Sequence, residues 1–520
     1  MPVVNGTAIS SLYNWVLKDP VLDWLDAYGE RSGFTKDTSL PNYLPSADYG
    51  LFVRAIASEF EDRVMALVRS RVKVVAIDGA RSNNDAFFEQ TLRLMSEGQD
   101  AIYQGLVRDP DLEVFGVPDL IIRGSAIEEL LPGTLGELDW NDYYVLDIKF
   151  KGLDLNKRGD LKSGHAWERI QLALYERALA TMRGRVPSRA FVLGRRLAGE
   201  DGAGGGCFDV IPWVGQLDDK GLAMVGDGLV WLSDLKQHGA TWTLDPPSDP
   251  RLIPNGRNGQ DSPWHEVKKE LLKQIPCEPW EGPDVQPARI EANRDEWFEP
   301  RGLEFFVDYE TFNGMNDDFS TLPLAGGRPM IFMIGCGHEE NGEWRFQVWT
   351  AESETYEEEG LILGKWLGHM EAVRQRLAPN IGNPLVFHWH SHEVKELEKA
   401  AARHPEEALP DVNWFDLLWK VFKAEPVRIT ETDSQSLKPV ARKLHEKGYI
   451  DTVWPESPVS DGLAAMTAAW SCYAASRERN LPVHEALMAN GKSLMREIEA
   501  YNEVDCKAMW EILTYLRANH

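Results

Sequence analysis

Residues 303–312 read LEFFVDYETF, an apolar and aromatic run of strand character. Side chains alternate along a strand, so Asp308 and Glu310 leave it on the same face. Downstream, PMIFMIGCG (329–337) and WRFQVWT (344–350) read as two strands of a hairpin turning at Asn341-Gly342. A helix is predicted over Thr355–Leu377. PLVFHWH (384–390) is a strand that runs into a helix from near Ser391, WFDLL (414–418) is short and extended, and 483–518 is predicted as one long helix.

Upstream, 245–300 holds 10 of the chain's 30 Pro and reads as a connector, with one helical piece at 265–274. It divides the chain into residues 1–245, the connector 246–300, and residues 301–520. In the first part, Leu51–Val75 and Phe87–Gly105 have helical spacing. VFGVPDLIIR (114–123) and YYVLDIKF (143–150) read as strands, HAWERIQLALYERALATM (165–182) as an amphipathic helix, and RAFVLGR (189–195) and CFDVIPW (207–213) as strands. Helices interleaved with strands indicate an α/β sheet.

The 520 residues are 43% hydrophobic and include 19 Trp, which excludes a disordered or collagen-like chain. Leu463–Ala475, the most apolar stretch, is too short to span a membrane, and no signal peptide is visible, so a cytoplasmic protein is expected. Five scattered Cys suit neither a disulfide framework nor a metal cluster. The net charge of −27 argues against a generic nucleic-acid binder. Residues 151–200 run against it, with 11 Lys and Arg to 5 Asp and Glu, and 421–450 more weakly, with 6 to 4. Such a strip can hold a phosphate backbone while the acidic remainder limits nonspecific binding.

The first group of chemical residues joins Asp119, after Pro118, to Asp147 and Lys149, which share a strand face. Two carboxylates can hold Mg²⁺ or Mn²⁺, and an ammonium can stabilise charge on phosphorus. Trp167, Gln171 and Tyr175 follow at four-residue steps on one helix face within the basic strip. Gln and Tyr suit phosphate oxygens and Trp suits a base; Lys157, Arg158, Lys162 and Arg169 would border the cluster. GVPDL (116–120), VLDIKF (145–150) and QLALY (171–175), in this order, resemble the RecB-like branch of the PD-(D/E)XK nucleases. SSLYNWVLKDPVLDWLDAYG (10–29) is similar to that branch's helical start. The resemblance implies metal at Asp119 and Asp147, and one more acid upstream: Glu61, with Glu59 the near alternative. The cysteines of the iron–sulfur members are missing, Lys18-Asp19-Pro20 standing where one is expected.

The second group joins Asp308 and Glu310 to Glu393, which opens a helix, and to Tyr501 and Asp505, four apart on another. Taken singly, each pair also fits an ordinary helix or strand surface. In this order they resemble the DEDD 3′–5′ exonucleases whose last motif is YxxxD. That implies two divalent ions held by Asp308, Glu310 and Asp505, and a water oriented by Tyr501. The family's second motif supplies Asp where this chain has Glu393; Asp416 is the fallback. His388 and His390 share a strand face next to His392, and packing or phosphate contacts suit them better than a transition metal. The whole chain resembles predicted RecB-family nucleases in which a RecB-like domain precedes an RNase H-like one. The expected fold is therefore α/β, a PD-(D/E)XK restriction-endonuclease-like domain followed by an RNase H-like domain. The expected function is Mg²⁺- or Mn²⁺-dependent hydrolysis of DNA, single-stranded or at its ends, in repair or anti-phage defence with a helicase or defence partner. The alternatives are a nucleic-acid-binding subunit with one or both sites inactive, and an RNA-processing nuclease.

Overall fold

The computed structural model describes residues 6–77, 79, 83–134, 136–157, 159–198, 205–209, 211–256, 262–274, 282–315, 319–323, 327–406, 409–432 and 434–520. They fall into two compact units. One gathers the described residues of Met1–Ser39, Gly50–Gln274 and Asp317–Gly326, the other those of Leu40–Tyr49, Ile275–Asn316 and Gly327–His520. The Pro-rich segment 246–300 is thus not a free connector. In the first unit, Leu252, Trp264 and Leu271 pack with Val21, Trp24 and Trp231. Asp19 accepts from the Asn255 amide at 3.0 Å and is ion-paired with buried Lys268. In the second unit, Val285–Gln286 pairs with Arg428–Ile429.

The first unit contains helix α1 (Tyr49–Arg71) from its second residue on, and strands β1 (Val74–Ala76), β2 (Ala101–Tyr103), β3 (Leu120–Arg123) and β4 (Tyr143–Asp154). Helix α2 (Ala166–Arg183) and strands β5 (Ala190–Ala198) and β6 (Trp213–Val214) follow. The sheet runs β6-β5-β4-β3-β2-β1, with Gly205–Gly206 added to β5. Alternation along the strands sorts the core. Ile121, Val145 and Val192 pack with Ile170 and Leu174 of α2, while Leu120, Leu146 and Phe191 pack with Phe60, Val64 and Val68 of α1. Each such side chain contributes roughly 1.5–3 kcal/mol by leaving water. Asp147 and Lys149 share the parity of Val145 and so belong to the α2 side. Helix α2 stops where Gly184, at φ +66°, takes the left-handed conformation.

Several boundaries differ from the sequence reading. VFGVPDLIIR is two strands: Val114–Gly116 joins a separate sheet with Thr7–Ala8 and Val107–Asp109, and β3 begins only at Leu120. Pro118 lacks an amide donor and restricts Val117, which breaks the run and leaves Asp119 just outside β3. The first two predicted helices end at Arg71 and Ser96, with β1 and β2 beyond them. Residues 207–209 form a turn, and pairing resumes at Trp213.

The second unit is built on β7 (Glu304–Phe312), β8 (Met330–Glu340), β9 (Glu343–Thr350), helix α3 (Tyr356–Leu377) and β10 (Leu385–His388). Helix α4 (His392–Arg403), β11 (Asn413–Asp416), α5 (Leu437–Glu446), α6 (Gly462–Arg479) and α7 (Leu494–Asn519) complete it. The sheet order is β9-β8-β7-β10-β11, with β7 central. The β7–β8 and β8–β9 pairs are antiparallel; β7–β10 and β10–β11 are parallel. Asn341 and Gly342 turn the β8–β9 hairpin with φ of 56° and 80°, as their sequence predicts. Phe306, Phe387 and Phe415 pack against Met509, Ile512 and Leu513 of α7. On the opposite face Tyr309 meets Trp366 of α3 edge-on at 5.6 Å. The predicted helix 483–518 is interrupted. A short helix, Val483–Ala486, leads into a hairpin of Met488–Ala489 with Lys492–Ser493, turned by Asn490 and Gly491 at positive φ, before α7 begins. Among the described residues no helix is long and apolar enough to cross a membrane.

Candidate functional site

Strand β7 presents Asp308 and Glu310 to the α7 side of its sheet, and α7 returns Tyr501, Asn502 and Asp505 to the same place. One ligand oxygen each from Asp308, Glu310 and Asp505 lies within 4.8 Å of the other two. Asn502 is fully buried and donates from Nδ2 to the Asp308 carboxylate at 2.8 Å. A Cβ at residue 335 on β8 would strike the Asn502 side chain, so the helix is seated there by a glycine. Burial, and then mutual repulsion, pushes the Asp308 and Glu310 carboxyls well above the usual carboxylate range. Burial raises Asp505 to about 7, eased in part by Lys438, Trp454 and Tyr501 and reinforced by Glu393. Burial and the same carboxylates push the Tyr501 phenol well up, so it is a proton donor at neutral pH.

Two buried carboxylates and half-buried Asp308 cannot all stay charged side by side without a counter-ion. A set of hard oxygen donors suits Mg²⁺ or Mn²⁺, so these residues fit a divalent ion. Glu393 is buried next to the trio, raises all three carboxyls and takes a 3.2 Å contact from His388 Nδ1. Asp416 instead accepts from the Trp419 amide at 2.9 Å, capping the turn that follows β11. The strand-face pairing of His388 with His390 does not hold. Strand β10 ends at His388, His390 has φ 126°, and its carbonyl contacts His388 Nδ1 at 2.5 Å. His392 lies 3.2 Å from the Thr311 hydroxyl.

In the first unit, Asp119 and Asp147 are brought together although they belong to different segments. The Asp119 amide donates to Asp147 Oδ1 at 3.0 Å, and the Ile148 amide donates to Asp119 Oδ2 at 2.7 Å. Lys149 Nζ lies 2.6 Å from Asp147 Oδ2. Burial and the Asp147 charge push Asp119 well up. For Asp147 burial acts against ionisation, but Lys149 and the bonds from Asp119 outweigh it and hold the carboxyl below its ordinary value. Burial would also lower Lys149, and the two carboxylates raise it instead. Tyr175 accepts from Gln171 Nε2 at 3.1 Å, both buried, and the Tyr175 ring fills the space above Gly116. Glu61 accepts from Tyr103 OH at 2.6 Å and raises Asp119, whereas Glu59 is an exposed residue 3.9 Å from Arg63. Glu61 does not close with Asp119 and Asp147 into a cluster as tight as that of the second unit.

Trp167 departs from the sequence reading. It is buried in the core edge-on to Tyr13 at 5.3 Å, which leaves no open ring face for a base. Lys157 and Lys162 are exposed, Arg169 is half-buried, and Arg158 lies outside the described residues. Lys438 and Asn502 were missed. Each is a polar residue on an otherwise apolar helix face, the one signal the sequence carries for them.

The second unit is thus a mixed α/β domain with an acidic cluster at its central strand. Residues 318–517 match the family model RNase_H_2, described as the RNase_H superfamily. The C-terminal region is therefore RNase H-like, and a domain of this kind indicates a metal-dependent nuclease acting on nucleic acid. The match includes Glu393, Tyr501 and Asp505 and begins after β7, which carries Asp308 and Glu310. No curated protein and no solved structure matches the chain.

Proposed function

We propose that the protein is a metal-dependent DNA nuclease with two sites, a 3′–5′ exonuclease site at Asp308, Glu310 and Asp505 and a RecB-like PD-(D/E)XK site at Asp119, Asp147 and Lys149. The observation that carries this reading is the convergence of three carboxylates, two of them buried, with a protonated tyrosine. Mg²⁺ or Mn²⁺, held by Asp308, Glu310 and Asp505, supplies positive charge where a phosphodiester gains negative charge. Asn502 fixes Asp308, and Glu393, steadied by His388, completes the acidic wall. Tyr501 directs its hydroxyl toward the attacking water. A role in repair or defence beside a helicase is consistent with cutting and end-trimming in one chain.

Tyr501→Phe keeps the ring and deletes the hydroxyl. Trimming of a 5′-labelled oligonucleotide in Mn²⁺ should fall by ~10²-fold or more with unchanged melting, the scale of one positioned acid or base group. Full trimming in this variant would overturn the exonuclease assignment. In the first unit, Glu61→Gln should lower cutting of duplex DNA, while Glu59→Gln should leave both cutting and stability, within ~0.5 kcal/mol, as they were. Equal losses in the two would remove Glu61 from the site. A second reading, in which the first unit binds nucleic acid without cutting it, is favoured by the closed Asp147–Lys149 pair and by the tie of Glu61 to Tyr103. A labelled duplex retarded but never shortened in Mg²⁺ or Mn²⁺ would support it.

A further inference from the structure

Lys438 is the second residue of α5, beside Leu437, whose apolar face with Val440, Ala441 and Leu444 is sunk in the core. Its stem is drawn partly inward with that face, so the side chain is half-buried. The ammonium donates to the Ser460 carbonyl at 2.6 Å. It lies 4.1 Å from the centre of the Tyr501 ring and 5.4 Å from that of Trp454. Two aromatic faces and a carbonyl therefore fix its direction. It draws down all three metal-site carboxyls, Asp308, Glu310 and Asp505. Yet among the described residues no carboxylate oxygen comes within ion-pair distance of it, and Ser460 engages one of its three N–H groups.

A half-buried ammonium that faces carboxylates but pairs with none of them is left with unmet charge. Moreover, the groups facing this one are acids that fit a divalent ion. Once that ion is bound, the remaining need between it and Lys438 is for an anion that touches both. A phosphodiester has that form: one non-bridging oxygen suits the ion, the other an ammonium donor.

We propose that Lys438 is the phosphate-binding residue of the C-terminal site, its ammonium donating to a non-bridging oxygen of the phosphodiester held against Asp308, Glu310 and Asp505. The inference rests on the exonuclease reading of that site. No proton is transferred from Lys438; it holds the phosphate in line and offsets its charge. The competing role is structural, a lysine that pins residue 460 to α5.

The test uses the full chain carrying Asp147→Ala, so that the first unit contributes no hydrolysis. The substrate is the p-nitrophenyl ester of thymidine 5′-monophosphate, with a single phosphodiester. In Mn²⁺, Lys438→Gln and Lys438→Met should each lose ~10²-fold in kcat/KM, the scale of one lost donor at a developing oxyanion. Met keeps the apolar stem against Tyr501 and so covers the case in which Gln unfolds. Lys438→Arg, which keeps the charge, should recover most of the loss. In Ca²⁺, thymidine 5′-monophosphate should bind the two neutral variants at least ~10-fold more weakly, the loss of a charge-assisted hydrogen bond. Neutral variants with wild-type kcat/KM and product binding would overturn the proposal. So would an Arg variant as poor as Gln and Met with equally lowered melting, since that is the signature of packing. If the parent protein hydrolyses neither the ester nor any oligonucleotide, the exonuclease reading falls. The product-binding arm then decides on Lys438 alone, weaker binding in the neutral variants upholding its contact with phosphate and unchanged binding overturning it.

Discussion

Asp308→Asn should reduce Mn²⁺-dependent end-trimming by at least ~10²-fold, the scale of one charged group at a reacting centre, and should raise the melting temperature of the metal-free second unit. Both follow from the crowding of Asp308, Glu310 and Asp505. The pH dependence is equally specific. In the fold Asp505 titrates at about 7 against an ordinary 3.8. A folded value above the unfolded one means that stability is fully present below the unfolded value and is lost as pH rises through the folded one. Metal-free wild type should therefore melt lower at pH 8 than at pH 5, with Asp308 and Glu310 acting in the same direction. A divalent ion binds the charged form, so at ~100 times its Kd it should restore ~2.7 kcal/mol at the higher pH. Asp308→Asn should flatten both the pH slope and the metal response. Calorimetry, which resolves the transitions of separate units, is the measurement. A wild-type curve indifferent to both pH and Mn²⁺ would mean that the carboxylates are not a cation site.

Lys149→Ala should abolish cutting by the first unit and also destabilise it by ~3 kcal/mol, at the low end of the range for breaking a buried ion pair because part of the lysine reaches solvent. Asp147 is almost fully buried and loses its only ammonium partner among the described residues. Asp147→Asn combined with Lys149→Met should recover most of that stability, since no unpaired charge remains, and should recover none of the activity. A denaturant titration and a plasmid-nicking assay on the three variants separate the two effects. A Lys149→Ala protein as stable as wild type would show the pair to be solvated. A double variant that still nicks would move the chemistry elsewhere.

What was legible in the sequence is what alternation and helical spacing encode. Asp308 and Glu310 are two apart on a strand, and Tyr501 and Asp505 are four apart on a helix, so their faces followed from the backbone period alone. Asp119 was legible as a partner of Asp147 but was placed inside a strand, because strand propensity does not register how a single proline divides a run between two sheets. Trp167 shares its helix face with Gln171, yet the packing of Tyr13, far away in sequence, turns it into core. Lys438 and Asn502 reach their site through tertiary packing of α5 and α7, and the one local signal, a polar residue on an apolar helix face, does not say what they reach. The extent of each unit escaped for the same reason. Proline density marks where regular structure stops, but the partners of the intervening residues decide which core they join.

Phe319 gives that last point a consequence in time. It is buried against Phe60 and Phe150, with ring centres at 5.6 and 5.7 Å, in the same cluster that holds α1 to the sheet of the first unit. A ribosome working from the N-terminus has by then already made β7, with Asp308 and Glu310 on it. The earlier-born unit therefore cannot close its interior before the later one has begun to emerge. Translation imposes an order in which β7 waits, unpaired, while the first unit recruits its last aromatic ring.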